Sequence, residues 1–209
     1  KFGRLKNVNA NLPSKIGSFQ KFVNGFSNAY TYIQRFESEI LPPEADSEFQ
    51  YLLEKVVVLD YIVRNTDRGN NWLMKVDVEI EPVLFEGVIV ENKNYHFNIA
   101  AIDNGLAFPF KHPDSWRSYP FDWAYIRYAK RPFSQKIKDL VIPKLSNAPY
   151  IESMIEQLEL LFKVFLLISH VLQIFKFIQF IFCSYSHLRL IKVLINNDLI
   201  PRCRSCVVK

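Results

Sequence analysis

Two aspartates stand in settings that suit phosphoryl chemistry. Asp67 sits in the polar run Arg64-Asn65-Thr66-Asp67-Arg68-Gly69-Asn70-Asn71, directly after a long apolar segment. Asp103 ends the apolar run Ile99-Ala100-Ala101-Ile102 and opens Asp103-Asn104-Gly105. Phosphoryl transfer asks a protein for positioning and charge neutralisation more than for covalent help. One carboxylate can accept the proton of an attacking hydroxyl. A second carboxylate and a nearby amide oxygen can hold Mg²⁺, a hard cation that binds through one or two carboxylates plus substrate phosphates. On this pattern Asp67 is the candidate base, and Asp103 with Asn70 or Asn71 supplies the candidate metal ligands. Each string alone is also ordinary turn sequence. The weight therefore rests on their order and separation.

The elements around them support that order. Phe49, Leu52, Leu53, Val56 and Val57 repeat at helical spacing, so a helix is expected over Ser47–Val63, with Ser47 as its N-cap. Asn28–Glu39 reads as a shorter helix, and Pro42-Pro43 as a break between the two. Ser18–Val23 is strand-like and ends at Asn24-Gly25. Trp72–Val78 predicts a strand, Glu79–Asn98 a second short β region with polar turns, and Ile99–Ile102 a short buried strand. His112–Pro120 reads as a loop, and Phe133–Leu145 and Ile151–Phe162 as helices. Helix, polar loop with Asp then Asn, short strands, then Asp-x-Gly is the layout of a kinase C-terminal lobe. The expected class is α+β, mainly helical with short β-hairpins.

Composition narrows the partners. With 49% hydrophobic and 22% charged residues the chain is globular in type, not disordered. The net charge of +5 comes from the tail: Leu160–Lys209 carries seven basic residues and one acidic residue. The body is near neutral, which argues against nucleic acid as a partner. All three cysteines, Cys183, Cys203 and Cys206, lie in the tail, and an odd count without a disulfide framework suits a reducing compartment. Cys203-Arg204-Ser205-Cys206 is a lone Cys-x-x-Cys, weak as a zinc signal. Trp116, Tyr119, Phe121, Trp123 and Tyr125 crowd ten residues beside Arg117 and Arg127. Such aromatics favour the headgroup level of a bilayer, and equally pack cores.

Longer strings add a resemblance. Val57-Val58-Leu59-Asp60-Tyr61-Ile62-Val63-Arg64-Asn65-Thr66-Asp67-Arg68-Gly69-Asn70 resembles the catalytic loop of type II phosphatidylinositol 4-kinases. Ala101-Ile102-Asp103-Asn104-Gly105-Leu106-Ala107-Phe108-Pro109 and Lys111–Arg117 resemble their metal-binding and activation segment, and Pro132-Phe133-Ser134-Gln135 and Ile137–Leu140 match as well. Gly17-Ser18-Phe19-Gln20 with Phe22-Val23 looks like the family hinge. The resemblance implies ATP and Mg²⁺ as cofactors and phosphatidylinositol in a membrane as substrate, on the cytoplasmic face of Golgi, endosome or plasma membrane. It implies that Gln20, Lys21, Phe22 and Val23 contact adenine and that Asp67 orients or deprotonates the inositol 4-hydroxyl. Asp103 would meet metal and phosphates, and Arg64 and Arg68 would brace the loop or meet phosphate. Trp116, Arg117, Tyr119, Phe121 and Trp123 would face the membrane, with Ser27–Arg35 as a second such stretch.

Three departures accompany it. The family reads Asp-Arg-Gly-Asn-Asp-Asn-Trp where this chain has Asp67-Arg68-Gly69-Asn70-Asn71-Trp72, one residue shorter. One residue moves a side chain by up to ~3.5 Å. The run before Gly17 resembles neither a glycine-rich loop nor a strand lysine, so the expected unit is the C-terminal lobe without its N-lobe. After Lys163 the chain turns apolar and then basic. The expected division is a lead-in at 1–16, the lobe at 17–162, and a divergent hydrophobic and basic tail at 163–209. The stretch 164–182 is long enough to span a bilayer, but Lys176 is costly there and a buried or interfacial helix fits equally; the favoured reading is a segment foreign to the domain. The competing functions are a phosphatidylinositol 4-kinase and a catalytically dead, membrane-binding pseudokinase or scaffold.

Overall fold

The computed structural model describes residues 21–65, 67–108 and 121–166, together with Ile191, Ile195 and Asn196. A two-residue strand, β1 (Ser27–Asn28), leads into helix α1 (Ala29–Ser38). Asn28 caps that helix, its side-chain oxygen accepting from the Tyr30 N–H at 2.9 Å. Ala29, Ile33 and Phe36 fall on one face of α1 and are buried.

Helix α2 (Pro43–Ile62) is the central element. It begins one turn before the expected start. Pro43 occupies the first turn, where its missing N–H costs nothing, and Glu44 and Asp46 complement the positive end of the helix dipole. The second proline of Pro42-Pro43 thus starts the helix that the pair was expected to interrupt. Ser47 is not the cap; its hydroxyl donates to the Pro43 carbonyl at 2.8 Å, inside the helix. Phe49, in the second turn of the helix, meets Phe36, Phe97 and Tyr128 with ring centroids 5.4, 5.6 and 4.7 Å away. The Tyr128 contact is edge-to-face, which suits the ring quadrupoles.

The sheet is antiparallel in the order β1-β2-β3. Strands β2 (Trp72–Phe85) and β3 (Val88–Ala101) form one unbroken hairpin, in register from Trp72 opposite Ala101 to Phe85 opposite Val88. Several short β pieces with polar turns were expected over this span. A single two-residue turn, Glu86-Gly87, replaces them, with φ +49° and +82° as a type I′ turn requires. Only the base of the hairpin is covered: Trp72, Met74, Tyr95 and Phe97 are buried, whereas Asp77–Phe85 and Val88–Lys93 are exposed.

Two single 3₁₀ turns (Asp122–Tyr125 and Arg127–Lys130) carry the chain to α3 (Gln135–Ser146) and α4 (Ala148–Leu166). Ser134 caps α3 and is fixed by α2: the buried Glu54 carboxylate accepts from both its N–H, at 2.7 Å, and its hydroxyl. The α+β class is as expected. Helix α4 runs through Lys163 without a break, and Ile191 and Ile195, both fully buried, belong to the core. No helix among the described residues is long and apolar enough to cross a membrane. Most of the apolar stretch 164–182 lies outside the described residues.

Candidate active site

The loop after α2 is shaped by its backbone. Arg64 turns out of the helix with φ +49°, the left-handed conformation common just past a helix end. Asn65 follows, fully buried. Its N–H donates to the Asp60 carbonyl at 3.0 Å, and its side-chain oxygen accepts from the Asp67 N–H at 2.9 Å. Asp67 is thus held at the mouth of an Asx turn with its carboxylate half-exposed.

Arg68 is the tie between the two acidic segments, and it is fully buried. Its Nε donates to both carboxylate oxygens of Asp60, at 2.8 and 3.1 Å. Nη1 donates to the Asn71 carbonyl at 2.6 Å and the Ile102 carbonyl at 2.9 Å, and Nη2 donates to the Asn104 side-chain oxygen. One guanidinium therefore clamps the residues on both sides of Asp103. The rigid fork of arginine suits this; a lysine has only three donors on one point. The Ile102 N–H also donates to the Asn71 carbonyl at 3.0 Å, so the hairpin pairing continues into the loop.

Asp103 itself is exposed and has φ +46°. A non-glycine residue there costs about 1 kcal/mol or more, though aspartate tolerates it better than most. The Arg68 clamp holds that conformation. Beyond it the Phe108 N–H donates to the Val63 carbonyl at 2.7 Å, closing the segment back onto the end of α2.

Asp60 anchors the arrangement from below. It accepts from Trp123 Nε1 at 2.8 Å as well as from Arg68, and it is fully buried. Burial pushes its carboxyl up from the ordinary value, against the downward pull of the Trp123 and Arg68 donors. Tyr61, the next residue, is pushed up to about 12 by burial. Phe121 stacks on Trp123 with centroids 4.9 Å apart and lies against Tyr61 at 5.6 Å.

These positions revise several expectations. Arg68 is sealed inside the fold and directs its donors at the protein, in the bracing geometry and not one open to phosphate. Trp123 is 1% exposed and cannot face a membrane; its indole is a strut under Asp60. Phe121 is half-buried in the same stack. Lys21 and Phe22 are exposed and Val23 half-buried, in irregular chain where a strand was expected. Gln20, Trp116, Arg117 and Tyr119 lie outside the described residues. Asn70 is exposed. Asn71 turns its amide back, donating to the Asp67 carbonyl at 2.9 Å and pointing at the Asp67 carboxylate from 3.5 Å.

Sequence reasoning assigns no role to Asp60 or Asn104. Asp60 had a signal: it falls on the buried face of α2, at helical spacing from Leu53, Val56 and Val57, where a carboxylate demands a partner. Asn104 had none, because its role depends on Arg68 arriving from 36 residues away.

Among the described residues no three His, Cys, Asp or Glu side chains gather to hold a metal alone. What the loop offers is oxygen: the exposed Asp103 carboxylate, with amides at Asn70 and Asn71. That donor set fits a cation such as Mg²⁺ that completes its shell with water and substrate phosphates.

Comparison with known proteins decides the lineage. Residues 1–178 match the model of the phosphatidylinositol 3- and 4-kinase family. The chain belongs to that family. Within it, the chain is 49% identical over 160 residues to phosphatidylinositol 4-kinase type 2-beta of Mus musculus. It is 50% identical over 153 residues to the type 2-alpha protein of Xenopus laevis. Both alignments cover 73% of this chain and 33% of the relative. The type 2-beta protein of Gallus gallus aligns at 44% over 167 residues, covering 78% of this chain and 34% of the relative. The chain thus spans about a third of the length of these relatives.

Proposed function

We propose that this chain is the catalytic C-terminal lobe of a phosphatidylinositol 4-kinase, transferring the γ-phosphoryl group of ATP to the inositol 4-hydroxyl at a membrane surface facing the cytoplasm. The observation that carries the reading is the Arg68 clamp, which brings the Asp67 loop and the Asp103 segment into one rigid unit. Two acidic groups held in register are what phosphoryl transfer requires of a protein. Asp67, half-exposed and backed by Asn65, accepts the proton of the 4-hydroxyl as its oxygen bonds to the γ-phosphorus and ADP departs. Asp103, with Asn70 or Asn71, would hold Mg²⁺, which when bound neutralises phosphate charge. Lys21–Val23 would border the adenine, and Trp116, Arg117 and Tyr119 would meet the lipid surface. The relatives' names support the substrate, since each is called a phosphatidylinositol 4-kinase.

One observation favours a second reading, a membrane-binding pseudokinase. The Asn71 amide is engaged by Asp67 in the shortened loop. The test is ATP- and Mg²⁺-dependent phosphate incorporation into phosphatidylinositol vesicles by the complete protein. Incorporation above an Asp67→Ala control supports the kinase. Equal rates, with vesicle binding retained, favour the pseudokinase.

A further inference from the structure

The hairpin reaches far beyond the body it grows from, and its two long edges differ. In a hairpin closed by a two-residue turn, the residues flanking the turn form a hydrogen-bonded pair. Phe85 and Val88 are that pair. Counting back from them, Leu84, Pro82, Ile80 and Val78 aim their backbone groups outward on β2, and Ile89, Glu91, Lys93 and Tyr95 do so on β3. The β2 edge is blocked against further pairing. Pro82 lacks a donor at an outward position, and Asp77, Glu79 and Glu81 crowd one sign of charge along it. The β3 edge has no proline, and its charges, Glu91 and Lys93, are of both signs. No strand among the described residues pairs with it, and its middle reads Glu91-Asn92-Lys93.

We infer that the β3 edge pairs with the β3 edge of a second copy of this chain, antiparallel about a two-fold axis at Asn92. That register sets Glu91 of each copy opposite Lys93 of the other, giving two opposite-charge pairs on one face. Shifting the axis to residue 91 or 93 opposes like charges instead. In the favoured register the outward-aimed backbone groups of Glu91 and Lys93 bond each other, as do those of Ile89 and Tyr95. Ile89, 73% exposed in one copy, comes to rest beside Tyr95 of the other. The Tyr95 hydroxyl donates to Glu39 at 3.1 Å, next to Ile40, which is 91% exposed. The apolar tip around Ile89 and Leu84 is thereby set beside an uncovered apolar residue. The acidic shaft (Glu79, Glu81, Glu91) and Glu86 at the apex speak against an anionic lipid surface as the occupant.

The test is the mass of the full 209-residue chain in solution, by sedimentation across a concentration series. A monomer–dimer equilibrium is expected. Lys93→Glu or Glu91→Lys replaces two attractions by two repulsions and should weaken it about tenfold or more. The double variant Glu91→Lys/Lys93→Glu restores the pairs and should restore the dimer. Both side chains are exposed, so the folded lobe survives, checked by unchanged melting. Asn92→Cys should form an intersubunit disulfide on oxidation, because the axis places two Cα atoms about 4.5 Å apart. A chain monomeric at its highest soluble concentration overturns the inference. So does a dimer indifferent to the single reversals, or a double variant that stays monomeric. Loss of vesicle binding on Leu84→Asp, in a chain that remains monomeric, would assign the tip to lipid and likewise overturn it.

Discussion

Arg68 places its Nε 2.8 Å from Asp60 Oδ1, and neither side chain has any exposure to solvent. Removing one member of such a pair strands the other. Arg68→Met should destabilise the lobe by about 3–5 kcal/mol, read from urea unfolding. Asp60→Asn/Arg68→Met should recover part of that loss, because no carboxylate is then left unpaired. Arg68→Lys should behave nearly like Arg68→Met. A single ammonium cannot reach Asp60, Asn71, Ile102 and Asn104 together. Additive single and double effects would show that the pair is uncoupled.

Trp123 tests the same network from the other side. Trp123→Phe keeps an aromatic ring against Phe121 and Tyr61 but removes the N–H to Asp60. A hydrogen bond to a buried charged acceptor is worth about 2 kcal/mol. The melting temperature should fall, while vesicle binding per folded molecule stays unchanged. A selective loss of vesicle binding would return Trp123 to the membrane-facing set.

The two polar turns that carry the candidate residues were legible from the sequence. The order Asp67 then Asp103, each beside Asn and Gly, marked two polar turns at the ends of buried elements. That is local information. The clamp was not legible, since Arg68 contacts residues 34 and 36 positions away and its four acceptors converge only in the fold. Trp123 was misread for a related reason: an aromatic run beside arginines looks the same whether it faces lipid or a buried carboxylate. The hairpin was read as fragments because Pro82 and the apolar triplets Val83-Leu84-Phe85 and Val88-Ile89-Val90 break the alternation expected of a half-buried strand. Its outer part packs against nothing among the described elements, so no inward face disciplines the pattern. Helix α2 was placed correctly along most of its length because Phe49, Leu53, Val56 and Val57 all answer to one core. Its start was missed because Pro-Pro reads as a break unless the second proline is taken as N1.

Asp46 gives a pH dependence with a definite sign. Burial pushes its carboxyl up, but hydrogen bonds from Arg131 at 2.6 Å and the Tyr128 hydroxyl at 2.9 Å outweigh that and leave it below its ordinary value. A depressed folded-state value means stability that is complete above the unfolded value, near ~3.9, and is lost as pH falls through the folded one. Both charged partners are partly exposed, so screening limits the gain to about 1 kcal/mol. Asp46→Asn should therefore lower stability by about that amount at pH 7 and flatten the acid limb below pH ~4. Parallel acid limbs for the two proteins would show that Asp46 is not the titrating group.

The shortened loop provides the most direct test of the chemistry. Inserting one Asp between Asn70 and Asn71 restores the family spacing. In the present loop, Asn71 is four residues past Asp67, and its side-chain N–H groups donate to Asp67, which fixes where its oxygen can point. With five residues the same side chain sits up to ~3.5 Å further along, free to present its oxygen beside Asp103. Metal ligation at ~2.1 Å tolerates no such offset. The insertion should raise Mg²⁺-dependent phosphate incorporation by the complete protein about tenfold or more, a gain of ~1.4 kcal/mol or more in transition-state stabilisation. It should also lower the Mg²⁺ concentration needed for half-maximal rate. The Arg68 clamp uses the Asn71 carbonyl, so the insertion must leave that contact in place. Unchanged melting checks this. An insertion variant that folds, keeps its melting temperature and gains neither rate nor Mg²⁺ sensitivity would show that loop length does not limit this site.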